Sequence, residues 1–217
     1  MTRVEFVKRY IDGVDVGVPI YTRKIAAALA KEFELEDDKA KAATAVVVKR
    51  LVDTAAIPEL KFFQNGIYFK TKKTPFGERG IDTQRVVVEE YIADNKGYET
   101  GISFLHRMGL TTQLPAQRMI ATNRASDCAR RNKKLDVIIC PPKVKITPDN
   151  KAYLQTLDAI EAMDGAPVDA ADPDEILANH IKDTGLNYQM LISLAYQYYS
   201  KHTVYGVARI AGKGNIV

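Results

Sequence analysis

The chain has 217 residues, 46% of them hydrophobic, and its 31 Lys and Arg against 27 Asp and Glu leave a net charge of +4. That length and composition allow one large globular domain or two small ones, each with a core. No apolar run approaches the roughly 20 residues a membrane-spanning helix needs, Met1–Tyr10 lacks the apolar core of a signal peptide, and Cys128 and Cys140 make neither a disulfide framework nor a zinc site. A reducing cytoplasm is the expected compartment. The charge is uneven: 15 basic and 11 acidic residues over 1–80, 11 and 8 over 81–150, and 5 and 8 over 151–217. The first two segments can approach a polyanion; the last cannot.

In chain order, Val4–Ile11 predicts a short amphipathic helix with Val4, Val7 and Ile11 on one side, ended by Gly13 and Gly17. Arg23–Phe33 predicts a second, with Thr22 as N-cap and Ile25, Leu29 and Phe33 on one face. After the short turn Leu35–Asp38 comes an Ala-rich helix, with Asp37 and Asp38 at its positive end and an apolar face of Ala40, Ala43, Val47 and Leu51. Two strand-like runs follow, Leu60–Phe63 and Ile67–Lys70, around Gln64–Asn65–Gly66. Asn-Gly is a strong hairpin signal because both residues tolerate φ > 0. Helix, turn, helix and basic hairpin is the order of a winged helix-turn-helix, which lays its third helix in the major groove and lets the wing meet phosphates. Thr74–Gly80 (TPFGERG) predicts a junction, giving domains at 1–75 and 81–217.

Beyond it, Ile81–Ala93 and Gly101–Met108 predict helices, Tyr98–Thr100 a short extended piece, and Arg118–Thr122 a strand. Leu135–Cys140 (LDVIIC) has the make-up of a buried strand, with Val144–Thr147 as a pairing partner. The densest basic cluster surrounds it: Arg124, Arg130, Arg131, Lys133, Lys134, Lys143 and Lys145. Arg130–Lys134 reads as a solvated hairpin loop or, as Arg130, Arg131, Lys133 and Lys134 together with Arg124, as a second phosphate-binding surface. From Asp149 the pattern is helical, over Ala152–Met163, Pro173–Lys182, Leu186–Tyr199 and Val204–Ile210. Its tyrosines, 188, 196, 198, 199 and 205, are expected in the core. The fold class is therefore mixed α/β (α+β): a winged helix-turn-helix followed by a domain with a small sheet and several helices. His106, His180 and His202 are isolated, and neither a phosphate-loop motif nor G-x-S-x-G is present. No enzyme activity, metal or cofactor is expected.

Two stretches carry a family resemblance. Residues 45–78, AVVVKRLVDTAAIPELKFFQNGIYFKTKKTPFGE, and 97–123, GYETGISFLHRMGLTTQLPAQRMIATN, resemble the end of the winged-helix domain, and the segment after it, in AbiEi-like abortive-infection antitoxins. Gly109–Gln113 with Pro115 is the more specific match, and Thr71 departs from the pattern, standing where many relatives carry Pro. The resemblance implies the antitoxin of a type IV toxin–antitoxin pair. Such a protein represses its own promoter as a double-stranded-DNA binder and opposes a nucleotidyltransferase-like toxin, by direct contact or functionally. Carried onto this chain, DNA contacts fall to Tyr21 and Thr22, to Lys39, Lys41, Thr44, Lys49 and Arg50, and to Lys70, Lys72 and Lys73. Thr44 and its helix neighbours would read base edges, and a homodimer or cooperative binding would supply two half-sites. Two alternatives stand beside this reading. One is a winged helix that binds protein and not DNA; the other is a nucleotide-binding enzyme using the Arg124–Lys145 cluster.

Overall fold

The computed structural model describes residues 1–214 and divides into two compact units, Met1–Val86 and the chain from Val87 onward. The fold is α+β. Among the described residues no helix is long and apolar enough to cross a membrane.

The first unit opens with α1 (Arg3–Asp12), held at its start by a capping box: the Thr2 hydroxyl accepts from Glu5 N at 3.2 Å and the Glu5 carboxylate accepts from Thr2 N at 2.7 Å. β1 (Ile20–Tyr21) runs directly into α2 (Thr22–Phe33). Thr22 is not the cap expected of it. Tyr21 holds that position, and the Thr22 amide and hydroxyl both donate to the Gly66 carbonyl, at 2.9 and 3.3 Å. α3 (Asp37–Asp53) has Asp37 and Asp38 inside its first turn. It buries Ala40, Thr44, Val48 and Leu51, a face turned by one residue from the expected set, while Ala43 and Val47 are half-buried. Val7, Ile11, Ile25, Leu29, Val48 and Leu51 from the three helices meet in one core.

β2 (Leu60–Gln64) and β3 (Ile67–Lys70) form the expected hairpin, and β1 adds to the other side of β3, giving an antiparallel sheet of order β1-β3-β2. The register shifts between Phe62 and Gln64, and at the turn only Gly66 takes a positive φ, +75°. The expected junction at Thr74–Gly80 is instead a second ribbon, β4 (Lys73–Thr74) with β5 (Gly77–Glu78). Buried Thr71 ties it down, its hydroxyl donating to the Arg79 carbonyl at 2.9 Å. The first unit ends at Val86, eleven residues beyond the expected end at 75, inside a helical segment. That segment is α4 (Thr83–Val87), continued by one π-helical turn over Val88–Ile92.

The second unit is built on a sheet of order β6-β7-β9-β8: β6 (Gly97–Thr100), β7 (Arg118–Thr122), β8 (Arg130–Asn132) and β9 (Val137–Cys140). β7 and β9 pair in parallel; the outer pairs are antiparallel. Val144–Thr147 is not a strand. Asn123 takes the place of a pairing strand, donating to the Ile146 carbonyl and accepting its amide, both at 2.8 Å. The helices are α5 (Gly101–Arg107), α6 (Lys151–Met163), α7 (Pro173–Asp183), α8 (Tyr188–Tyr198) and α9 (Lys201–Gly214). Phe104, Leu110, Leu157, Leu177, Leu191 and Ile210 are among those packed in their common core. Tyr196, Tyr198 and Tyr205, expected inside, are exposed, whereas Tyr188 and Tyr199 are half-buried.

Three largely buried carboxylates of this unit are each matched to arginine. Glu99 holds Arg107 and Arg118 at 2.7 and 3.0 Å, Glu90 holds Arg124 at 2.6 Å, and Asp174 takes Arg209 through two bonds of 2.6 and 3.0 Å. A fourth, Asp158, has no cation; it accepts from the hydroxyls of Tyr98, Thr100 and Tyr199 at 3.0, 3.1 and 2.6 Å. Burial pushes its carboxyl above the usual range, and the three donors pull it back.

Candidate nucleic-acid interface

The residues assigned to DNA in the first unit separate into three groups. Tyr21 and Thr44 are inside. Tyr21 is 1% exposed, and the guanidinium of Arg23 and the ammonium of Lys24 lie over its ring at 4.3 and 4.8 Å. Thr44 is 0% exposed and its hydroxyl meets no partner. Neither side chain is placed to touch a groove. The correction has a packing cause at each site. β1 pairs with β3 and draws Tyr21 into the unit, and the packing of α3 turns Thr44, not Ala43, fully inward.

The second group is exposed or half-exposed but engaged. Lys39 pairs with Glu36 at 2.8 Å and Lys41 with Asp38 at 3.1 Å, so two of the expected cations neutralise the acidic start of α3. Lys70 donates to the Asp12 carbonyl at 2.9 Å and fixes the hairpin to the end of α1. Thr22 is bonded to Gly66, as described above.

The third group is open. Lys49 and Arg50 stand exposed on the C-terminal half of α3, and Lys72 and Lys73 on the second ribbon. None of the four makes an ion pair. Sequence reasoning did not count Arg23 and Lys24 with the candidate interface; their signal was an aromatic residue with two cations following one residue on. It also overlooked Phe76, which stands fully exposed at the tip of the second ribbon. The exposed side of α3 also carries Ala42, Ala45 and Val46, small enough for close approach to a partner, and Asp53 at its end.

In the second unit all five residues of the alternative phosphate surface come together. Arg124, Arg130, Arg131, Lys133 and Lys134 line one cleft of about 470 Å3, together with Tyr91 from the π-helical turn. Lys143 and Lys145 are not part of it; Lys143 pairs with Glu161 at 3.0 Å. Among the described residues no group of His, Cys, Asp and Glu gathers as a metal site would require. No protein-family model matches the chain, and no curated protein sequence matches it.

Proposed function

We propose that the first unit is a winged helix-turn-helix that binds duplex DNA, and that the protein is a DNA-binding antitoxin that represses its own promoter. The observation that carries the DNA-binding half is the open cation set on its elements: Lys49 and Arg50 on α3, Lys72 and Lys73 on the ribbon that follows the hairpin. It is supported by the order α1-β1-α2-α3-β2-β3 with its three-stranded antiparallel sheet. Phosphate contacts from such lysines and arginines set affinity and register, and the neighbouring exposed positions of α3, Ala42, Ala45 and Val46, reach base edges and thymine methyl groups. The antitoxin half rests on the two AbiEi-like motifs, with a nucleotidyltransferase-like toxin as the opposing partner.

A rival reading, a winged helix that binds protein, draws on Val46, which is 68% exposed on α3 beside Lys49 and Arg50. One titration separates the two: the full chain against the DNA upstream of its own gene and an unrelated duplex, at low and moderate salt. The expected result is tighter binding to the upstream DNA, falling as salt rises, with Lys49→Ala/Arg50→Ala weaker by about 1–3 kcal/mol if either contacts a base. Equal or absent binding to both duplexes would overturn the repressor reading and favour the protein-binding one.

A further inference from the structure

The cleft of the second unit is an unusual concentration of charge. Five cationic side chains line about 470 Å3, and no carboxylate lines it with them. They arrive from two places in the chain: Arg124 just after β7, and Arg130, Arg131, Lys133 and Lys134 on the β8–β9 hairpin. Arg124 and Arg131 are each held by a carboxylate. Arg124 Nη1 donates to the Glu90 carboxylate at 2.6 Å and to the Glu90 carbonyl at 3.2 Å. Arg131 Nη2 donates to Asp136 at 2.9 Å. Arg130 and Lys133 are exposed and make no ion pair. Even with Glu90 and Asp136 counted, the cations are in excess, and like charges this close repel one another unless an anion sits among them.

Tyr91 lines the same cleft, and the backbone that presents it is irregular. Val88–Ile92 is a π-helical turn, a rare local geometry that recurs at functional sites. The same turn carries Glu90, so one piece of distorted backbone sets both the tyrosine ring and the carboxylate that fixes Arg124. Tyr91 is the cleft's one aromatic residue. A surface that tracks a nucleic-acid strand stacks successive bases on several rings; a single ring beside a cationic bowl of this size fits a single nucleotide.

We propose that this cleft binds a nucleoside triphosphate, its phosphates among Arg124, Arg130, Arg131, Lys133 and Lys134 and its base against Tyr91. The test uses the full chain without DNA and follows binding by calorimetry and by thermal unfolding. The probes are ATP, CTP, GTP and UTP, with inorganic triphosphate, adenosine and a single-stranded oligonucleotide as comparisons. At least one triphosphate should bind saturably and raise the unfolding temperature, adenosine should not, and inorganic triphosphate should bind more weakly. Arg130→Ala/Lys133→Ala should weaken the nucleotide by about tenfold or more, as loss of charged hydrogen bonds does. Both residues are exposed, so the unliganded unfolding temperature should not move. Tyr91→Phe should keep the affinity for nucleotide over inorganic triphosphate, and Tyr91→Ala should lose it. The proposal is overturned if no nucleotide binds, if the double variant binds as well as the parent, or if inorganic triphosphate binds as tightly as every nucleotide. It is overturned equally if the oligonucleotide binds and the nucleotides do not.

Discussion

Replacing Thr44 by valine should stabilise the first unit and leave the proposed DNA binding intact. The side chain is 0% exposed on the inner face of α3, and its hydroxyl meets no hydrogen-bond partner. A hydroxyl buried in that state forfeits its bonds to water, which costs about 1–3 kcal/mol in proteins. Valine has nearly the same shape, and both residues are β-branched with similar helix propensity, so the helix itself should be indifferent to the change. Valine's methyl group in place of the hydroxyl faces a core of Val48 and Leu51 on the same helix and of α1 and α2 side chains. A gain of about 1–2 kcal/mol follows, the lower part of the range, because the new methyl needs slightly more room in a packed core. For a unit of this size, Met1–Val86, each kcal/mol moves the melting midpoint by about 4–8 °C. Urea and thermal unfolding of the full chain measure the gain, and hydrogen exchange of the α3 amides places it in the first unit. A lower midpoint in Thr44→Val would refute the reasoning, since it would mean that the hydroxyl has a partner worth keeping. Unchanged stability with lost DNA binding would instead return Thr44 to the groove.

Gly97→Ala should destabilise the second unit by about 1–3 kcal/mol or more. A Cβ there would lie 2.3 Å from the carbonyl oxygens of both Ala121 and Tyr91, which are backbone and cannot step aside; an unfolding midpoint equal to the parent's would sink this. The His180 imidazole is held below its ordinary value by burial, against the raising effect of Asp183 and with a smaller lowering from Arg107. An imidazole depressed in the fold is protonated first in the unfolded chain, so its contribution is present above about pH 6.5 and lost as the pH falls from there towards the folded value. Urea midpoints at pH 7.5 and 5.5 should differ less in His180→Gln than in the parent, and an identical pH dependence in both would count against it.

Much of the framework was legible because it is local. Arg118–Thr122 matches its strand to the residue, the Asn65–Gly66 turn sits where the dipeptide placed it, and the helix expected over Gly101–Met108 forms as α5, followed by Gly109 with φ of +76°. Local pattern failed where the deciding contact is distant or the chemistry gives no contrast. Along Ala42–Ala43–Thr44–Ala45 the side chains are small and nearly neutral, so periodicity could not say which one faces the core. Tyr21 is buried because Ile20–Tyr21 pairs with Ile67–Tyr68, a partner far along the chain. The basic cluster could be read from sequence because four of its five members share one hairpin. Tyr91 could not, since its place at the cleft depends on a π-helical turn that no spacing rule announces.

The corrected site also changes what the DNA titration should show. Seven cations were assigned to the interface: Lys39, Lys41, Lys49, Arg50, Lys70, Lys72 and Lys73. Lys39 and Lys41 are paired with Glu36 and Asp38, and Lys70 is committed to the Asp12 carbonyl, so four remain open to phosphates. Each phosphate neutralised contributes about −0.9 to the slope of log affinity against log salt concentration on duplex DNA. Four open cations give a slope near −4 per bound chain, whereas all seven would give about −6. The carboxylates there push the same way, because Glu36, Asp37 and Asp38 make the N-terminal turn of α3 a poor neighbour for phosphate while Lys49 and Arg50 favour its C-terminal half. A slope near −4 that flattens by about 2 in Lys49→Ala/Arg50→Ala places the contact on that half of the helix and on the ribbon. A slope near −6 that is insensitive to the double variant would put the contact elsewhere, on lysines that must first release their carboxylates.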